Sequence, residues 1–158
     1  MAEELQRALI VGAGHGLSAS LARLFARYGM QVALAARDTR KLEALCAETR
    51  AQAFTCDATR PDEVVNLFVE VDAAMGAPQV VIYNASSRAR GPLVDLDPEH
   101  VQRAIAVSAY GGFLVAQEAA RRMVPNKSGA IFFTGASASV KGYALSAPFA
   151  MGKFALRG

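Results

Sequence analysis

The stretch V-G-A-G-H-G-L-S, Val11 to Ser18, joins a short apolar run, Ala8–Val11, to a segment with apolar residues at helical spacing. A strand that turns through glycines directly into a helix presents backbone N–H groups and the positive end of a helix dipole to whatever lies beyond the turn. Such a turn suits a pyrophosphate. Gly12 permits the tight bend, Gly14 and Gly16 keep side chains clear of the anion, and His15 and Leu17 complete the loop. A glycine cluster alone is also consistent with a merely compact turn; the strand before it and the amphipathic helix after it favour the phosphate reading.

Outward from this loop the same alternation continues. Runs rich in valine, isoleucine and phenylalanine recur at Gln31–Ala35, Ala53–Thr55, Val80–Tyr83 and Ala130–Thr134, with helical segments between them. The first helix carries Leu17, Leu21, Leu24, Phe25 and Tyr28 on one stripe, and the third carries Val64, Leu67, Phe68, Val71 and Met75, each expected to cover a sheet face. Asp38 precedes the second helix, Pro61 with Asp62 and Glu63 opens the third, and Asp97-Pro98-Glu99 opens the fourth. Strands that are continuously apolar and linked by helices imply a parallel sheet covered on both faces. The expected architecture is doubly wound α/β, one Rossmann domain over residues 1–158.

Val107 to Met123 is apolar nearly all round. One face is expected against the sheet and another against a second subunit, giving a homo-oligomer; a wholly buried core helix is the alternative. The 158 residues, 53% hydrophobic, suffice for one core. A net charge of +3 without basic runs or interleaved aromatics argues against nucleic acid as a partner. Cys46 and Cys56 stand apart with no ligand-like spacing, so no metal site is expected. No basic, long hydrophobic leader opens the sequence and no apolar run reaches the ~18 residues of a membrane span. A soluble, cytoplasmic protein acting on a small molecule is the expectation.

The end of the second strand reads A-A-R-D. Dinucleotide sites commonly place an acidic residue there to hold the ribose 2′-hydroxyl, whereas here Ala36 is followed by Arg37, placed to meet a 2′-phosphate. NADP(H) is therefore expected in preference to NAD(H), with His15 adding to the preference.

The chain at this point resembles the short-chain dehydrogenase/reductase family along its whole length. Gly12 and Gly16 match the first two glycines of the family's G-x-x-x-G-x-G loop, and Ser18 replaces the third. Cys56-Asp57 looks like the family's adenine-contacting pair, with Asp57 as the match. Tyr83-Asn84-Ala85-Ser86 resembles the N-N-A-G element, keeping Asn84 and Ala85, and Phe149 to Lys153 overlays Y-x-x-x-K. The resemblance implies an oxidoreductase in which a tyrosine exchanges a proton with the substrate oxygen, a lysine lowers that tyrosine's pKa and holds the nicotinamide ribose, a serine polarises the carbonyl and an asparagine helps relay protons. Carried over, the lysine is Lys153, the tyrosine is Phe149, the serine is Ala136 and the asparagine is Ser108. Lys153 alone is retained.

The ribose-binding role thus survives while the acid–base role has no phenol. Ser137, Ser139, Ser146 and Tyr143 stand nearby, but a plain hydroxyl with an ordinary pKa is a poor acid near neutrality. Arg88 and Arg90, in S-R-A-R-G-P, fall at the carboxyl end of the fourth strand, where ligands of open α/β sheets bind; they suit an anionic substrate, or are solvated loop arginines. The resemblance also implies further strands after the last helix, so the chain is expected to be truncated after the fifth strand, with that strand's outer edge open. Two functions follow: an NADP(H)-dependent oxidoreductase with an altered acid–base site, or a catalytically silent dinucleotide-binding sensor or partner subunit.

Overall fold

A computed structural model describes residues 5–158. Five strands, β1 (Arg7–Val11), β2 (Gln31–Ala36), β3 (Gln52–Thr55), β4 (Val80–Tyr83) and β5 (Ala130–Phe133), form one parallel sheet in the order β3-β2-β1-β4-β5. The helices are α1 (Leu17–Arg27), α2 (Glu43–Thr49), α3 (Pro61–Met75), α4 (Pro98–Ile105), α5 (Gly111–Asn126) and α6 (Ala147–Arg157). The chain runs outward from β1 to β3, then returns to place β4 on the other side of β1. That reversal opens a crevice at the carboxyl ends of β1 and β4.

Alternation along the strands divides the core in two. Leu9, Val11, Val81 and Tyr83 face Val64, Leu67, Phe68 and Val71 of α3 and Leu114, Val115 and Ala119 of α5. Ala8, Ile10, Leu34 and Ile82 face Ala19 and Ala22 of α1 with Leu42 and Leu45. The doubly wound arrangement and the α3 stripe are as the sequence implies. The α1 stripe is not: Leu17, Leu24 and Tyr28 are exposed, and the buried face of α1 is Ser18, Ala19 and Ala22. Small side chains occupy that face, and the larger Leu21 and Phe25 pack only at its margin.

The long helical segment expected around Val107–Met123 is α4 and α5 joined by one π-helical turn, Ala106–Tyr110. The turn sits where β4 presses against it. Tyr83, fully buried, donates its hydroxyl hydrogen to the Val107 carbonyl. A Cβ at Gly111 would lie 2.4 Å from the Tyr83 hydroxyl and 2.8 Å from the Ala58 carbonyl oxygen, so only glycine admits this approach. Likewise, a Cβ at Gly152 of α6 would lie 2.6 Å from the Ser108 Cβ, which packs α6 hard onto the π turn. The segment's inner face is buried; Tyr110 and Phe113, ring centroids 6.4 Å apart, look outward. Among the described residues β5 pairs with β4 alone, and Phe132 and Phe133 on it are exposed.

Gly111→Ala is therefore expected to lower unfolding free energy by about 1–3 kcal/mol through overpacking. Gly142→Ala, where an added Cβ meets nothing within 4 Å, should change it by no more than about 0.5 kcal/mol. Urea denaturation of both variants checks the contrast.

Candidate functional site

The turn after β1 is shaped by what β4 brings next to it. Gly12 has φ of +84°, and a Cβ there would lie 2.3 Å from the Ala85 backbone nitrogen. Both its conformation and its neighbour require glycine. The Gly12 and Ala13 N–H groups each donate to the Ala35 carbonyl at 2.9 Å, and the Asn84 N–H donates to the Val11 carbonyl at 2.8 Å. The Asn84 side-chain amide then donates to the Ser18 hydroxyl at 2.7 Å and to the Gly12 carbonyl at 3.3 Å. Ser18, buried at 1% exposure, also reaches the Gly12 carbonyl, at 3.3 Å. The residue that departs from the three-glycine loop is thus the one that ties the loop to β4.

Above this junction lies a cleft of about 300 Å³, lined among others by Gly12, Gly14, Arg37, Lys41, Asp57 and Asn84. It spans the ends of β1, β2, β3 and β4. A Cβ at Gly14 or Gly16 meets nothing within 4 Å, so both glycines border open space. His15, Gly16 and Leu17 are exposed and are not part of this lining.

Charge in the cleft is distributed in a definite way. Asp38, the carboxylate next to Arg37, is held by Arg40 through bonds of 2.9 and 2.8 Å, and its pKa falls to about 2. Among the described residues Arg37 makes no ion pair, so two cations, Arg37 and Lys41, line the cleft near the end of β2. Lys41 gave no sequence signal beyond its place four residues after Arg37. Burial works against ionisation of Asp57, but hydrogen bonds from the Thr59 N–H (3.0 Å) and hydroxyl (2.7 Å), with the charges of Arg37 and Arg103, hold its pKa below the usual carboxylate value. The neighbouring Cys56 thiol is pushed up to about 12, chiefly by burial, and stays a neutral thiol.

The second group of residues lies between β5, α6 and the loop after β4. Lys153 is 3% exposed and donates to the Thr134 carbonyl at 2.6 Å. Its ammonium is 5.8 Å from the Phe149 ring centroid. The ring carries no hydroxyl, and a second cation, Arg88, has its Cζ 4.6 Å from the same centroid. Phe149 lines a pocket of about 170 Å³ with Arg88, Arg90, Ser137, Ala138, Tyr143 and Ser146. Ala136 is not in that lining; Ser137 is. Ser139 is buried, accepts the Ala136 N–H at 3.1 Å and is not in that lining. Ser108 is fully buried beneath α6, and its hydroxyl has no partner among the described residues. The structure therefore brings Phe149, Ser137, Tyr143 and the two arginines together, and holds Lys153 below them and Ser108 deeper still.

Burial, and secondarily the charge of Arg88, lowers the Lys153 pKa from its ordinary 10.5. The folded protein then holds this proton less readily than the unfolded chain. Protonation at Lys153 costs stability below its folded pKa, and the cost fades as pH climbs through that value towards 10.5. Thermal melts should show wild type gaining on Lys153→Met as pH rises towards 10.5; a constant difference would contradict the assignment. At the loop, Gly12→Ala should cost more than about 1 kcal/mol of stability because of its positive φ and the Ala85 backbone. Gly14→Ala should melt like wild type.

Comparison with known proteins matches this geometry. The family model for short chain dehydrogenase matches residues 6–158. A mitochondrial borneol dehydrogenase of Lavandula x intermedia is 28% identical over 153 residues, 96% of this chain and 59% of that protein. A solved short-chain dehydrogenase of Rhodopseudomonas palustris superposes with a TM-score of 0.88 at 31% identity, covering 96% of this chain and 74% of that one. A metagenomic short-chain oxidoreductase in complex with NADP superposes with a TM-score of 0.91 at 30% identity, covering 97% and 72%. The chain spans about half the length of the curated relatives it matches, for example 51% of a Gluconobacter oxydans gluconate 5-dehydrogenase. With its parallel sheet, its glycine turn and the family model covering nearly every residue, the chain belongs to the short chain dehydrogenase family.

Proposed function

We propose that the protein is an NADP(H)-dependent oxidoreductase acting on a carbonyl or alcohol substrate, with its acid–base residues replaced. The observation that carries the cofactor half is the pair of cations, Arg37 and Lys41, lining the end of β2 while the adjacent Asp38 is neutralised by Arg40. A guanidinium there that makes no ion pair among the described residues favours a 2′-phosphate over a ribose hydroxyl. The NADP bound by the metagenomic relative supports the same reading.

The residues present fit a dinucleotide. Gly14 and Gly16 border open space where a diphosphate would meet the loop N–H groups, and Asp57 is kept ionised with one oxygen engaged by Thr59, leaving the other for an adenine amino group. Asn84 holds the floor of the cleft. When bound, the reduced nicotinamide supplies the hydride. The chain's own contribution is to orient it: Lys153, fixed by the Thr134 carbonyl, is the group assigned to the nicotinamide ribose. At the reacting oxygen, Phe149 donates nothing. Ser137, Ser146 and Tyr143 supply hydroxyls in the same pocket, and turnover is expected to be slow because none is a phenol paired with Lys153.

The outward-facing Tyr110 and Phe113 support assembly of two copies through the α4–α5 segment. The silent dinucleotide-binding reading is favoured by the loss of the phenol at Phe149 and is separated from the first by turnover.

Two tests follow. Calorimetry should show NADPH binding at least about tenfold more tightly than NADH, with the difference largely lost in Arg37→Ala, since a charge-assisted bond contributes about 1.5–3 kcal/mol. Equal affinities in wild type would overturn the preference. In single-turnover NADPH oxidation, Phe149→Tyr with Ala136→Ser should raise the rate more than either change alone and by more than their product, because a positioned acid is worth roughly 10²–10⁴-fold and the family resemblance assigns both positions to one substrate oxygen. Fast wild-type turnover that falls on Phe149→Tyr would show that the phenylalanine belongs to a different, working mechanism.

A further inference from the structure

We infer that Arg88 and Arg90 form a carboxylate subsite in the substrate pocket, so that the substrate is a small hydroxy acid or oxo acid. The inference rests on the oxidoreductase reading and names its substrate class.

Both arginines come from the loop after β4, and both line the pocket of about 170 Å³ that contains Phe149. No aspartate or glutamate is in that lining, and among the described residues neither arginine makes an ion pair or hydrogen bond with a side chain. Two guanidinium groups facing one small concavity without a carboxylate repel each other and gain by sharing an anion. Arg88 is held in place without spending its donors. Its Cζ lies over the Phe149 ring at 4.6 Å, a contact that fixes the group and leaves its N–H edges available for a bidentate partner.

The loop is anchored as well. The Gly91 N–H donates to the Leu145 carbonyl at 3.2 Å, tying the arginine loop to the segment that leads into α6. The remaining polar groups of the lining are the hydroxyls of Ser137, Tyr143 and Ser146, partners suited to a hydroxylated carbon chain. Lys141, with its ammonium 5.3 Å from the Tyr143 ring centroid, adds positive charge at the pocket's edge. Phe149 thereby has a use that a lost acid does not explain: it is the platform on which Arg88 rests.

The test is calorimetric titration at fixed ionic strength with D-gluconate and with sorbitol, which differ by a terminal carboxylate, and with sorbitol 6-phosphate. Wild type, Arg88→Gln, Arg90→Gln, Arg88→Lys and the double glutamine variant are compared, each with and without NADP⁺. Wild type should bind gluconate at least about tenfold more tightly than sorbitol, the double glutamine variant should lose that difference, and Arg88→Lys should keep part of it. Equal binding of gluconate and sorbitol by wild type overturns the subsite, as does a preference that persists in the double variant. Stronger binding of sorbitol 6-phosphate than of gluconate overturns the carboxylate assignment in favour of a phosphate ester. Gluconate discrimination without NADP⁺ binding would support the subsite and refute the cofactor reading; NADP⁺ binding without discrimination would do the reverse.

Discussion

The approach of the β4 turn to the glycine loop is the constraint on which the rest of the site depends. With a Cβ position 2.3 Å from the Ala85 nitrogen, Gly12 allows the turn after β1 and the turn after β4 to occupy almost the same place. The Asn84 amide and the Ser18 hydroxyl then lock them together with the Gly12 carbonyl. The sheet order makes this meeting possible, because β1 and β4 are neighbours only after the chain has reversed direction across the sheet. A loop fixed in this way needs no ligand to organise it, and preorganisation of that kind reduces the ordering cost of binding. Its consequence for function is a rigid cradle bordered by glycines on one side and by Arg37, Lys41 and Asp57 on the other.

The chemistry end is built differently. Lys153 is buried and its ammonium donates to one backbone carbonyl, with the Phe149 ring rather than a phenol nearby. A buried ammonium without a carboxylate is costly, and its lowered pKa expresses that cost. The ring's other cation, Arg88, couples this region to the loop after β4. Two cations close to one aromatic ring create a positive field where the sequence alone shows only a missing tyrosine.

Much of the fold was legible because it follows from periodicity. The strands read as continuous apolar runs, and the α3 stripe from Val64 to Val71 is buried as its spacing implies. The α1 stripe misled for a physical reason: close packing against the sheet selects Ala19 and Ala22, so the large residues Leu17, Leu24 and Tyr28 that carry the hydropathy signal face outward. The π turn at Ala106–Tyr110 was also invisible, since it arises from contacts with Tyr83 and Gly152 that are distant in sequence. In the site, Gly12, Gly14, Arg37, Asp57 and Asn84 do share one cleft, as read from their positions. Ser18 read as a departure from the glycine pattern, yet its hydroxyl is part of the loop's hydrogen bonding. Arg88 stacking on Phe149 could not be read either, because a loop arginine carries no signal of where its side chain rests.

Hydrogen exchange measured by mass spectrometry on the folded protein, with and without saturating NADPH, bears most directly on the claim that the β1–β4 junction is a nucleotide cradle. NADPH is predicted to slow exchange in peptides that contain Gly12–Ser18, Arg37–Lys41, Asp57–Thr59 and Asn84–Ser86, and to leave the outer helix α2 beyond Glu43 unchanged. Unaltered exchange at those four segments, or protection confined to other parts of the chain, would contradict the account.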